Sequence, residues 1–266
     1  MKICVYQTFP EFGKIEENVN KVISVLNNIE ADLVVLPELF NSGYQFINKE
    51  EVIRLAEEVP QGYTTQALVR IAKAKNFYIV AGLSEKDGSK IYNSGILIGP
   101  LGYVATYRKA HLFFEEKLWF KPGNTGFKVH DIGIAKIGMI VCFDWIFPEA
   151  TRILALKGAQ ILCQPANLIF TLCQKTMIGR AIENRIFTIT ANRVGSEHRR
   201  GGKPLTFTGL SQVVDPEGNC LLQLSSDKEE VKVIEIDPNQ ALSKMFTEYN
   251  NLMEDRRVDL YKEIIK

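Results

Sequence analysis

With 266 residues, 46% of them hydrophobic, the chain has ample apolar material for a core, and one domain over residues 1–266 is expected. Its 32 lysines and arginines nearly cancel 31 aspartates and glutamates, which argues against nucleic acid or a membrane surface as partner and for a small, roughly neutral molecule. Five scattered cysteines, Cys4, Cys142, Cys163, Cys173 and Cys220, form no Cys-x-x-Cys pair, and no His-x-x-x-His accompanies them. Reduced thiols, no metal site and no cofactor are expected.

The N-terminus enters a strand at once and carries no small-residue cleavage site. No apolar run approaches the ~18 residues of a membrane span, so a soluble, cytoplasmic protein is expected. Val19, Val22, Ile23, Leu26 and Ile29 recur at helical spacing over 18–29, and the apolar run 31–36 reads as a buried strand. A second helix over 64–75 carries Leu68, Ile71 and Ala72 on one face, and a strand over 77–81 follows. Strands at 96–98 and 103–106 flank the turn Gly99-Pro100-Leu101-Gly102, a hairpin pattern. The run 137–141 reads as a further strand, ending on Cys142 directly before an expected helix.

From there the second half echoes the first. Residues 159–165 repeat the pattern of 31–37, 187–191 that of 77–81, and the turn Asp215-Pro216-Glu217-Gly218 that of residues 99–102. Two similar αβ halves imply two sheets face to face with helices outside, an α/β four-layer α-β-β-α sandwich. The tail 244–266 is polar with apolar anchors at Leu252, Val258, Leu260, Ile264 and Ile265, a pattern that either frays or docks on a partner subunit.

Three stretches close strands at their carboxyl ends, the rim where a largely parallel sheet binds ligands: 36–40, 107–112 and 141–145. Cys142 at a strand-to-helix turn is placed as a nucleophile would be, with the following N–H groups aimed at an oxyanion. Glu38, after an apolar strand and a proline, could keep enough basicity to take a thiol proton. Lys109 could hold a positive charge beside the oxyanion and lower the thiol's pKa. Tyr44, Phe113, Trp145, Phe147 and Asn167 flank these stretches and are candidates to line a substrate pocket. His130 and His198 read as structural or exposed, and the basic stretch 197–203 as a solvated loop.

The motifs Leu36-Pro37-Glu38, Tyr107-Arg108-Lys109-x-His111-Leu112 and Cys142-Phe143-Asp144-x-x-Phe147-Pro148-Glu149 occur in the order that marks the carbon-nitrogen hydrolase, or nitrilase, superfamily, which the sequence resembles. Pro122-Gly123, Gly158-Ala159, Pro165-Ala166-Asn167 and Arg180-Ala181-x-Glu183-Asn184 extend the resemblance over nearly the whole chain. It implies the same sandwich fold and a Glu-Lys-Cys triad at Glu38, Lys109 and Cys142. It also implies a second glutamate seven residues after the lysine, at Glu116 rather than the adjacent Glu115. Lys109 and the Phe143 N–H would form the oxyanion hole, and assembly as a homodimer or larger is usual in such proteins.

Several activities remain open at this level. An amidase acting on a small aliphatic or dicarboxylate-derived amide leads, because Phe143-Asp144-Trp145 follows the cysteine where nitrilases of the superfamily often have Trp-Glu-Asn. A nitrilase of small aliphatic nitriles and an N-carbamoyl amidohydrolase follow. A Cys-His-carboxylate hydrolase using His111 and a catalytically silent binding protein are the remaining alternatives.

Overall fold

The computed structural model describes residues 1–199, 201 and 204–265. Arg200, Gly202 and Lys203 of the basic stretch, and the terminal Lys266, lie outside the described residues. The first half runs β1 (Lys2–Gln7), α1 (Ile15–Leu26), β2 (Leu33–Val35), α2 (Lys49–Leu55), β3 (Glu57–Glu58), α3 (Tyr63–Lys75), β4 (Tyr78–Asp87), β5 (Lys90–Gly99) and β6 (Gly102–Arg108). The second runs α4 (Glu116–Trp119), β7 (Val129–Asp131), β8 (Lys136–Met139), a 3-10 turn (Cys142–Ile146), α5 (Pro148–Leu156), β9 (Ile161–Pro165), α6 (Leu172–Asn184), β10 (Phe187–Ala191), β11 (Ser196–Glu197), β12 (Leu205–Thr206), β13 (Gln212–Val214), β14 (Cys220–Gln223) and β15 (Glu230–Glu235).

One sheet is ordered β15-β1-β2-β4-β5-β6 and the other β14-β13-β10-β9-β8-β7. Strand alternation assigns each side chain to a layer. Ile3, Val5, Leu33, Val35, Val80 and Leu97 of the first sheet share a core with Ile137, Met139, Ile161, Cys163, Ile189 and Val213 of the second. Their neighbours Cys4, Val34, Ile79 and Ala81 turn outward onto Val19, Val22 and Leu26 of α1 and Leu68, Ile71 and Ala72 of α3. Leu154 of α5 and Met177 of α6 join the second sheet's core from outside. The result is an α-β-β-α sandwich in which α1-β2-α3-β4 and α5-β9-α6-β10 are equivalent halves. No helix among the described residues is long and apolar enough to cross a membrane.

Two elements differ from the sequence expectation. β4 and β5 extend through residues 82–95 as a long hairpin, well past the strands expected at 77–81 and 96–98. Its polar side chains are paired inside the sheet: Ser94 Oγ donates to Glu85 at 2.6 Å and Arg108 Nη2 donates to the same carboxylate at 2.6 Å. No α-helix begins directly after Cys142; a 3-10 turn fills 142–146 and α5 starts at Pro148. Proline disfavours a helical conformation in the residue before it, and Phe147 is extended at φ −92°, ψ 105°. In the tail, Val258, Leu260 and Ile264 are exposed.

Candidate active site

β2 runs into Pro37 and then Glu38, whose side chain is fully buried. Gly82 makes this turn possible, because a Cβ there would stand 2.5 Å from the Glu38 Cα. Glu38 Oε1 accepts from Asn93 Nδ2 at 2.7 Å and from Lys109 Nζ at 2.8 Å. Its other oxygen, Oε2, is buried and has no partner among the described residues.

Lys109 follows β6 and is also fully buried. Its backbone is tied on both sides, with its N–H donating to Asn93 O at 2.8 Å and its carbonyl accepting from Gly123 N at 2.9 Å. Gly123 admits this approach, since a Cβ would lie 2.0 Å from Arg108 O. Lys109 Nζ donates a second bond, to Glu116 Oε1 at 2.7 Å. Glu116, the first residue of α4, is fixed in turn by the Tyr44 hydroxyl at 2.8 Å and the Phe113 N–H at 3.1 Å. An ammonium thus bridges two buried carboxylates.

Cys142 sits at φ +44°, the left-handed region that a side chain adopts only at a cost of roughly 1–3 kcal/mol. Its carbonyl accepts from Gln164 Nε2 at 2.9 Å. The same strained strand-to-turn geometry is how hydrolases present a nucleophile clear of the sheet.

The electrostatics follow from burial and charge. Burial pushes the Cys142 thiol well above its ordinary value, Glu38 and Glu116 push the same way, and Lys109 and a backbone hydrogen bond from Asn167 pull it down. Lys109 therefore acts in the expected direction but does not prevail, and the resting group is a thiol. Burial works against the Lys109 charge, yet Glu116 and Glu38 outweigh it and keep the ammonium. Burial raises the Glu116 carboxyl to about 7, with Lys109 opposing and Glu38 adding to the rise. Among the described residues no group of three His, Cys, Asp or Glu could hold a metal ion.

A cavity of about 40 Å³ at Cys142 is lined by Phe113, Phe143, Trp145, Asn167, Leu168, Ile169 and Phe170. Three of these residues, Phe113, Ile169 and Phe170, also wall a larger hollow of about 230 Å³ that includes Tyr44, Phe114, Glu116 and Trp119. Phe113, Trp145 and Asn167 thus reach the pocket as expected from sequence, and Tyr44 reaches its extension. Phe147 does not. Its ring stacks on His111, with centroids 3.7 Å apart, and faces a separate hollow, because the extended residue before Pro148 turns away from the cysteine. His111 itself pairs with Asp144 at 2.7 Å.

Asn93, Gln164 and Asp144, which hold Glu38, Cys142 and the turn, and the apolar wall 168–170 are not among the residues expected from sequence. The signal for Asn93 and Gln164 was a lone amide within a strand. For the wall it was only adjacency to Asn167.

The carbon-nitrogen hydrolase family profile matches residues 2–243. The chain belongs to the carbon-nitrogen hydrolase family. It is 42% identical over 264 residues to a nitrilase of Pyrococcus abyssi, covering 98% of this chain and 99% of that one. Among solved structures it is similar to a carbon-nitrogen hydrolase from Helicobacter pylori G27, with a TM-score of 0.90, 29% identity and coverage of 100% and 98%. It is also similar to an amidase from Nesterenkonia sp. AN1, whose glutamate-to-glutamine variant carries acrylamide added at the active-site cysteine, with a TM-score of 0.81, 25% identity and coverage of 99% of both chains. This carbon-nitrogen hydrolase is therefore an enzyme of the nitrilase and amidase group, with the α-β-β-α fold of its relatives.

Proposed function

We propose that this carbon-nitrogen hydrolase cleaves the amide of a small, uncharged aliphatic substrate through a thioester on Cys142, releasing ammonia. The observation that carries the reading is the divided role of Glu38. One oxygen is committed to Lys109 and Asn93, and the other is buried without a partner, leaving it open to a proton from the thiol. A cysteine that rests as a thiol needs such a base.

Glu38 Oε2 takes the thiol proton as Sγ attacks the carbonyl carbon. The developing oxyanion is received by Lys109 Nζ and the Phe143 N–H, preorganised donors of which each is worth roughly 10²- to 10³-fold in rate. As the C–N bond breaks, Glu38 returns the proton to the leaving nitrogen and ammonia departs. The same carboxylate then takes a proton from water, which attacks the thioester and frees the acid and the thiol. Glu116 holds Lys109 in place against Glu38.

The lining favours a neutral substrate. No cationic side chain appears among the described residues of either hollow, and Glu115 and Glu116 line the larger one, so a substrate carboxylate would meet apolar rings and other carboxylates, which disfavours an ω-amide of a dicarboxylic acid. Asn167 supports a polar contact: it is 4% exposed, and neither its side-chain Nδ2 nor its Oδ1 has a partner among the described residues. A nitrilase is the second reading, favoured by the 42% identity to the Pyrococcus abyssi protein. It uses the same residues but passes through a thioimidate.

Ammonia release from short amides, ω-amides, N-carbamoyl amines and aliphatic nitriles tests this choice, with wild type measured beside Cys142→Ala. A neutral short amide as best substrate, with turnover abolished in Cys142→Ala, is expected. Preference for an ω-carboxylated amide would refute the neutral-substrate reading, and preference for a nitrile would select the second.

A further inference from the structure

Asp144 is fully buried two residues after Cys142, and its carboxylate has four hydrogen-bonding partners. Oδ2 accepts from the Val141 N–H at 2.9 Å and the Tyr107 hydroxyl at 2.8 Å. Oδ1 accepts from the His111 N–H at 3.0 Å and lies 2.7 Å from His111 Nδ1. Two of these partners, Tyr107 and His111, stand two residues before and two after Lys109, while Val141 immediately precedes Cys142. One carboxylate therefore joins the turn that presents the thiol to the segment that presents the ammonium, and these come from different sheets.

We infer that Asp144 is a positioning residue that locks the Cys142 turn in register with the Lys109 segment, and so sets how readily the thiol sulfur attacks. The inference rests on the thiol reading of the site. With a backbone N–H donating to each of its oxygens, the side chain must accept on both sides, which a carboxylate does. The isosteric amide cannot replace it. Whichever way the side chain of an Asp144→Asn variant were turned, its NH₂ would face a backbone N–H, that of Val141 or that of His111, which can only donate, and that side of the clamp would open. The turn stores strain at the Cys142 φ of +44°, and such a conformation persists only while its surroundings hold it. A displacement of about 1 Å between reacting groups costs on the order of 10²-fold in rate.

The test reads Cys142 without needing a substrate. Iodoacetamide alkylation of the Cys142 peptide is followed by mass spectrometry at pH 7.5 in wild type, Glu38→Gln, Asp144→Asn and Tyr107→Phe, alongside kcat and KM on the best amide. Folded Asp144→Asn is expected to react roughly 10- to 100-fold more slowly than wild type, with kcat falling similarly and KM within about threefold. Tyr107→Phe, which removes one donor, should react roughly 3- to 10-fold more slowly. A purely structural role for Asp144 would loosen the site and speed alkylation, so an Asp144→Asn rate equal to or above wild type overturns the inference. Should Asp144→Asn fail to fold, an unchanged or faster Tyr107→Phe overturns it instead. Wild type reacting no faster than Glu38→Gln would defeat the base assignment itself, a result distinct from wild type exceeding Glu38→Gln but matching Asp144→Asn.

Discussion

The chemistry of the site turns on how one ammonium is shared between two buried carboxylates. Glu116 holds its proton more tightly than an ordinary carboxyl, to about 7. Below that pH it loses the charge that holds Lys109 away from exclusive pairing with Glu38, so kcat/KM should fall as pH drops through about 7. Glu116→Gln should lower kcat by roughly 10²-fold and abolish this acid limb in the residual activity, as a pH-rate profile would reveal. The same raised pKa has the opposite sign for stability: folding favours the protonated form, so this contribution is complete below about 4.5 and is lost as pH rises through about 7. Thermal melts of Glu116→Gln should be flatter than wild type across that window. Asn167 makes a separate prediction, because its buried side-chain amide has no partner among the described residues. Asn167→Ala should raise KM about 10-fold with kcat within about threefold, and an unaltered KM would remove it from substrate contact.

At the scale of elements, the site is made by turns at strand ends, and their tolerances are tight. Gly82→Ala would drive a Cβ to 2.5 Å from the Glu38 Cα, costing about 1–3 kcal/mol and displacing Glu38. Gly179→Ala, on the exposed face of α6 with nothing within 4 Å, should instead stabilise by about 1 kcal/mol. Comparing melts and turnover of the two variants separates a crowded backbone from a merely flexible one. The elements that sequence made legible are those with strong periodicity, α1, α3, β2, β9 and β10, and the three strand-end stretches bearing Glu38, Lys109 and Cys142. What it hid has a physical cause in each case. The β4–β5 extension is built from polar residues whose partners, such as Arg108 for Glu85, lie far along the chain. Pro148 holds Phe147 extended after the 3-10 turn, and the ring lies on His111 instead of in the pocket. Asn93 and Asp144 matter through long-range hydrogen bonds that no local pattern encodes.

Across the whole molecule, the equivalent αβ halves bring β2, β6, β8 and β9 to a common rim, so the site exists only when both sheets are packed. We expect one cooperative unfolding transition, with activity lost in the same transition, as a melt followed by fluorescence and by turnover would register. The tail leaves Phe246, Val258, Leu260 and Ile264 exposed, apolar side chains that a second copy of the chain could cover. We predict a homodimer or larger assembly, with removal of residues 244–266 shifting it toward monomer in light scattering; a wild-type monomer would contradict this. The central claim, a covalent path through Cys142 with Glu38 as base, is tested most directly by acid-quenching wild type during turnover of its best amide and weighing the Cys142 peptide. The account predicts a peptide heavier by the substrate's acyl group, absent in Cys142→Ala, which should be inactive. Sustained turnover in Cys142→Ala, or an adduct on another residue, would contradict it.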